Sequence, residues 1–126
     1  MSKVMRRATV HIGIEKTGTT TIQEFLHINR ERLAKHGVGY LKSPGLKNNR
    51  NLATYCMRSD FIDDHINDLG ITSSESRRKW KENFRSEFYL EMESLGDDIS
   101  DVIFSSEHFH SRLHTEEEVR HLLILL

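Results

Sequence analysis

Cysteine, proline, tryptophan and net charge are all scarce in this sequence. Cys56 is the single cysteine among 126 residues, which excludes an internal disulfide framework and fits a reducing compartment. Nothing beside it in the sequence would lower its pKa, so it reads as a small apolar residue in a helix and not as a catalytic thiol. The formal charge is only −1, which argues against a generic nucleic-acid binder, whose affinity needs clustered excess Lys and Arg. No run approaches the ~20 apolar residues of a membrane span. Met1 to Arg7 is basic but lacks the apolar core and small-residue cleavage site of a signal peptide. A soluble, cytoplasmic chain is expected, with room for one domain and a modest core. No internal repeat or low-complexity tract is present.

What is there is concentrated near the N-terminus. Ala8 to Ile12 reads as a β-branched strand. It runs into Gly13-Ile14-Glu15-Lys16-Thr17-Gly18, and an amphipathic helix begins near Thr20. Glycines let the backbone curl so that successive N–H groups point into one concavity, and the new helix turns the positive end of its dipole to the same place. This is the layout of a phosphate cradle. Ile22, Phe25, Leu26, Asn29 and Leu33 recur at spacings of three and four and define the helix's buried face, with Gly37 as its C-terminal cap.

Val38 to Leu41 then forms a second strand. The stretch from Lys42 to Asn51 is a basic, amide-rich loop around Pro44, the only proline. In a parallel topology it emerges on the same edge as the glycine loop, where it could touch substrate or nucleotide; loop behaviour in general favours a solvated connection. Leu52 to Met57 is a short helix, and Phe61, Ile62 and Ile66 extend it or begin another. Asp60, Asp63, Asp64 and Asp68 are expected on a solvated face, since adjacent side chains such as Asp63 and Asp64 diverge too far to share a metal. Thr72 and Glu75 make a capping box for the clearest helix of the chain. Its stripe of Trp80, Phe84, Phe88 and Met92 is core, while Arg77, Arg78, Lys79, Lys81 and Arg85 mark its solvent side. Asp101 to Ser105 is a third strand, apolar enough to be central. A second capping box, Thr115 with Glu118, opens a last helix that carries Val119, Leu122, Leu123 and Leu126.

A Walker A loop reads G-x-x-x-x-G-K-[ST], with lysine after the second glycine to reach the β/γ-phosphates. Gly13 and Gly18 keep that glycine spacing and Thr20 keeps the hydroxyl, but the lysine sits earlier, at Lys16, and Thr19 follows Gly18. This places the lysine in the crown of the loop, suited to a shorter phosphate group, and argues against the ATP and magnesium arrangement. The stretch His11 to Gln23, with Glu15-Lys16-Thr17-Gly18-Thr19-Thr20 at its heart, resembles the 5′-phosphosulfate-binding loop of the bacterial-type branch of the sulfotransferases. These enzymes use 3′-phosphoadenosine 5′-phosphosulfate (PAPS). Asn29-Arg30 with Leu33, Gly37-Val38-Gly39-Tyr40 and Ser105-Ser106-Glu107 are similar to later signatures of the same branch.

The resemblance implies a three-layer, P-loop-type α/β fold in which residues 1–126 form the N-terminal part of one domain. The parallel sheet would be incomplete at the C-terminus, since only about three strands can be counted where such a sheet has several, and His121 to Leu126 stops in mid-run. It implies that PAPS is the donor and that Lys16 contacts its 5′-phosphate and the oxygen bridging to the sulfonyl group, stabilising charge on the leaving group. Gly13, the N–H groups from Thr17 and Gly18 to Thr20, and the hydroxyls of Thr19, Thr20 and Thr21 would hold the phosphate; a plain N-cap role is the alternative for the threonines. The acceptor, a hydroxyl or amine with carbohydrate among the candidates, needs a base. Glu107 and His108 are the two candidates; Glu107 is favoured because it completes the Ser-Ser-Glu signature, and along a strand only one of the pair would face the cleft. No metal is implied, and the spacing of His108, His110 and His114 matches no usual zinc pattern. The family's contacts to the 3′-phosphate and adenine have no counterpart that can be assigned, so the segment alone is expected to have negligible transfer activity. Two other readings compete: a magnesium-dependent nucleotide kinase or NTPase with a degenerate Walker A loop, and a catalytically inert nucleotide-binding fragment. Acceptor identity and oligomeric state are left open by the sequence.

Overall fold

A computed structural model describes residues 6–13 and 19–126, with the backbone alone at Thr19. The chain runs β1 (Arg7–His11), α1 (Thr19–Ile28), α2 (Arg30–Lys35), β2 (Val38–Gly39), α3 (Arg50–Cys56), α4 (Asp64–Asp68), α5 (Ser74–Ser94), β3 (Asp101–Ser105), α6 (His108–Arg112) and α7 (Glu116–Leu125). It is a mixed α/β structure whose strands form a small parallel sheet in the order β1-β3-β2. β3 is central, as its apolar character implies, with Arg7 opposite Asp101 through to His11 opposite Ser105 on one side, and Val38 and Gly39 opposite Asp101 and Val102 on the other. All three strands therefore point their carboxyl ends the same way.

Successive side chains of a strand face opposite sides of the sheet, and β3 uses both. Val102 and Phe104 join Leu52, Ala53, Cys56, Phe84, Phe88, Phe109, Leu122 and Leu125 in the main core. The α5 stripe stacks into it: Trp80 on Phe84 at 5.5 Å, Phe84 on Phe88 at 6.1 Å, and Phe88 against Phe104 at 5.9 Å between ring centres. Ser105 faces the other side, where Gln23 of α1 reaches its hydroxyl. That second face is thinly covered. The helix expected to run unbroken to Gly37 is interrupted at Asn29, and of the residues assigned to its buried side only Leu26 is enclosed; Ile22 and Phe25 are exposed, at 42% and 58%.

Several local expectations shift for identifiable reasons. The cap of α5 lies one residue later than Thr72 and Glu75: the Ser73 hydroxyl accepts from the Ser76 N–H, and the Ser76 hydroxyl accepts from the Ser73 N–H. Arg77, assigned to the solvent side, is buried and donates to the carbonyls of Phe61 and Arg58; Lys81 is half-buried and donates to the Met57 carbonyl. Both lie on the α5 flank that receives the 57–61 turn, so their charge is spent on backbone oxygens, whose hydrogen bonds to a charged donor are stronger than neutral ones. Asp63 also leaves the solvated face. It caps α4 through the Ile66 N–H and accepts from Arg112 at 3.0 Å and Arg50 at 3.5 Å. The Thr115 and Glu118 box forms as the sequence implies, but α7 buries Leu122 and Leu125, while Val119, Leu123 and Leu126 are exposed. Cys56 is fully buried in α3, and burial pushes its thiol up to about 12. Among the described residues no helix is long and apolar enough to cross a membrane.

Candidate functional site

The site assembles at the carboxyl edge of the sheet. β1 ends at His11, and the glycine loop leaves it through Gly13, whose φ of +62° is a left-handed conformation suited to glycine. Lys16, Thr17 and Gly18 lie outside the described residues. Thr19 opens α1, and Thr20 and Thr21 stand exposed in its first turn. The dipole end of that helix and the Gly13 turn therefore flank the stretch that holds the lysine.

Beside them, β3 ends at Ser105 and Ser106 follows it, both fully buried. The Ser106 N–H donates to the His11 carbonyl, and His11 Nδ1 lies 2.8 Å from the Ser105 hydroxyl. Glu107 and His108 follow. Adjacent residues in a strand would diverge, but here the chain has already turned into α6, with Glu107 in helical conformation as its N-cap residue. Glu107 Oε1 and His108 Nε2 consequently meet at 3.5 Å. The expectation that one of the two would point away is corrected by that turn.

Glu107 is also gripped from two other elements. Gln23, four residues after Thr19 on α1, donates through Nε2 to Oε2 at 3.1 Å, and Asn48 donates through Nδ2 to Oε1 at 2.9 Å. Burial opposes charge on this carboxyl, but its own N–H, the Gln23 amide, His108 and the Asn48 amide together hold it below its ordinary value. It is an ionised acceptor at neutral pH.

The 42–51 stretch that brings Asn48 here is no solvated connection. Glu91 of α5 accepts from the N–H groups of Lys42 and Ser43 at 2.7 and 2.8 Å. Arg30 donates to the carbonyls of Tyr40 and Leu46, each at 2.6 Å, and the Tyr40 hydroxyl donates to the Lys47 carbonyl. Burial pushes that phenol up to about 12, so it stays a neutral donor. At Gly45 φ is +132° and a Cβ would collide with the Asn48 carbonyl oxygen, so the tight turn before the asparagines needs glycine there.

The structure thus brings Gly13, the Thr19 to Thr21 turn, Glu107 and His108 to one edge. His110 is exposed in the middle of α6, and His114 is occupied with the Ser111 carbonyl. Among the described residues no group of three or more His, Cys, Asp or Glu is placed to hold a metal ion. A cleft of about 530 Å³ at the start of α5 lies elsewhere; it is lined by Asp60 and by Arg77, two of whose guanidinium nitrogens already donate to carbonyls. Sequence reasoning assigns no role to His11, Gln23 or Asn48. Their signals are faint: a glutamine beside an apolar helix face and a pair of asparagines in a basic loop. Comparison with protein-family models, with curated proteins and with solved structures finds no match.

Proposed function

We propose that the chain is the donor-binding portion of a PAPS-dependent sulfotransferase with a P-loop-type, three-layer fold. PAPS would sit in the loop from Gly13 to Thr20, with Lys16, Thr17, Gly18, Thr19, Thr20 and Thr21 around its 5′-phosphate. The acceptor oxygen or nitrogen attacks sulfur and the new bond to sulfur forms. The bond from sulfur to the bridging oxygen breaks, its electron pair leaves with adenosine 3′,5′-bisphosphate, and the acceptor's proton passes to Glu107. Lys16 would stabilise the charge that builds on the leaving oxygen.

One observation supports this reading above the others. The helix that the glycine–lysine loop opens contacts, through Gln23, the carboxylate that ends the neighbouring strand. The candidate base is thereby tied to the helix that would follow a bound anion, an arrangement that suits group transfer. Calorimetry with adenosine 3′,5′-bisphosphate and with ATP, each with and without magnesium, tests it. Metal-independent preference for the bisphosphate, weakened in Lys16→Ala, is expected. Magnesium-dependent preference for ATP would turn the assignment to the nucleotide kinase or NTPase, and equal bisphosphate binding by Lys16→Ala would remove the loop from the mechanism.

A further inference from the structure

We propose that Gln23 and Asn48 are positioning residues for Glu107, one amide on each carboxylate oxygen, and that through them α1 and the 42–51 loop are tied to a single proton acceptor. The proposal builds on the sulfotransferase reading and extends it to residues that reading leaves without a role.

The geometry is specific. Gln23 is buried, and its Nε2 lies 3.1 Å from Glu107 Oε2 and 3.4 Å from the Ser105 hydroxyl. It sits one helical turn beyond Thr19, in the first half of α1. Asn48 donates to the other oxygen, from a loop anchored by Arg30, Glu91 and the neighbouring Asn49. Two donors on two oxygens fix the plane of a carboxyl group, whose terminal torsion is otherwise broad. That leaves a defined direction for the incoming proton, and fixed direction is the element that general-base catalysis needs beyond basicity.

Among the described residues, the basic side chains that flank Asn48 are engaged elsewhere. Lys47 is paired with Glu24, and Arg50 with Asp63 and Asp64. Among the described residues, the titratable groups facing Glu107 are His108 on its own turn and, across the Ser105 hydroxyl, His11 of β1. The two amides are neutral. They can orient the carboxylate and favour its charged form without neutralising it.

The test follows the Glu107 carboxyl carbon by NMR during a pH titration, with Glu107→Gln identifying the resonance. Gln23→Met and Asn48→Ser are each expected to move the midpoint upward, and the double variant to move it furthest. Asn48→Ser changes a half-buried loop position and keeps the experiment open should Gln23→Met fail to fold. A midpoint that stays put in folded Asn48→Ser overturns the positioning role, since loss of packing alone would lower stability without moving that titration. Wild-type binding of adenosine 3′,5′-bisphosphate is measured in parallel. An upward shift with bisphosphate binding intact supports the proposal. Absent bisphosphate binding overturns the sulfotransferase reading, and with it the catalytic meaning of the two amides, whichever way the titration moves.

Discussion

Asn49 and Ser105 hydrogen-bond twice, backbone to backbone and side chain to backbone. The Asn49 N–H donates to the Ser105 carbonyl at 2.9 Å, and the Asn49 side-chain oxygen accepts from the Ser105 N–H at 2.8 Å. The amide thus imitates the strand that is missing there. β2 pairs with only Asp101 and Val102, so the end of β3 on that side would otherwise have an unpaired N–H in the interior, where a lost partner is costly.

Asn49→Ala is therefore expected to destabilise the chain by about 2 kcal/mol, the range for leaving a buried donor unsatisfied. The Gly45 carbonyl, which accepts from the same side chain, loses its partner too. Urea denaturation should show a lower midpoint with an unchanged slope. A variant as stable as the parent would mean that the 42–51 loop does not depend on this residue.

Arg30 holds the same loop from the other end, with donors on the carbonyls of Tyr40 and Leu46 and its guanidinium 5.1 Å from the Tyr40 ring centre. A lysine keeps the charge but presents one point donor in place of a planar fork. Arg30→Lys should therefore behave as a disruptive change, costing about 2 kcal/mol, since each bond to a charged donor contributes about 1.5–3 kcal/mol. Hydrogen exchange should speed up at residues 42–50 while α5 amides keep their protection. Unchanged exchange in the loop would exclude this role.

The features that could be read from the sequence were those made within one element. The Trp80 to Met92 stripe, the Thr115 and Glu118 cap and the central, apolar β3 all express local periodicity or local capping chemistry, and the structure contains each. The features that could not be read join distant segments. Arg77 looks like surface until the 57–61 turn supplies carbonyls for it, and the capping role of Glu118 gives no hint that it also accepts from the Arg58 N–H, 60 positions away. The site divides in the same way. Glu107 and the Gly13 turn are visible as strand ends, whereas Gln23 and Asn48 become meaningful only once three elements converge on one carboxylate.

Glu118 also gives the fold an acid limit. It is buried; burial alone would raise its carboxyl, but the Arg58 N–H, the Thr115 hydroxyl and the N–H groups of His114 and Thr115 hold it below its ordinary value. Asp63 is lowered likewise, against its burial, by the Ile66 N–H and by Arg112 and Arg50. A carboxyl whose folded pKa is depressed contributes stability that is present above the unfolded carboxylate range, near pH 4, and is lost as pH falls through the folded value. The urea midpoint should hold at neutral pH and drop on acidification below about pH 4. Glu118→Gln should start lower at neutral pH and fall less steeply. A parallel fall in parent and variant would assign the acid sensitivity to other groups.

Phe88 and Phe25 offer the sharpest contrast between a residue that holds the fold and one of the same type that does not. Phe88 is 1% exposed and touches Phe84 and Phe104, so it joins α5 to the central strand. Truncation removes both the apolar transfer free energy and the packing around it, and Phe88→Ala should cost about 3–5 kcal/mol. That is a large share of the ~5–15 kcal/mol by which domains are stable, so the variant should be substantially unfolded at moderate urea. Phe25 is 58% exposed on α1, on the thinly covered face of the sheet. Phe25→Ser should change stability by less than about 0.5 kcal/mol, as for surface substitutions generally. A large loss at Phe25 would show that α1 is packed against something in solution, and would redirect attention to the exposed face that Ile22, Phe25 and Ile28 share.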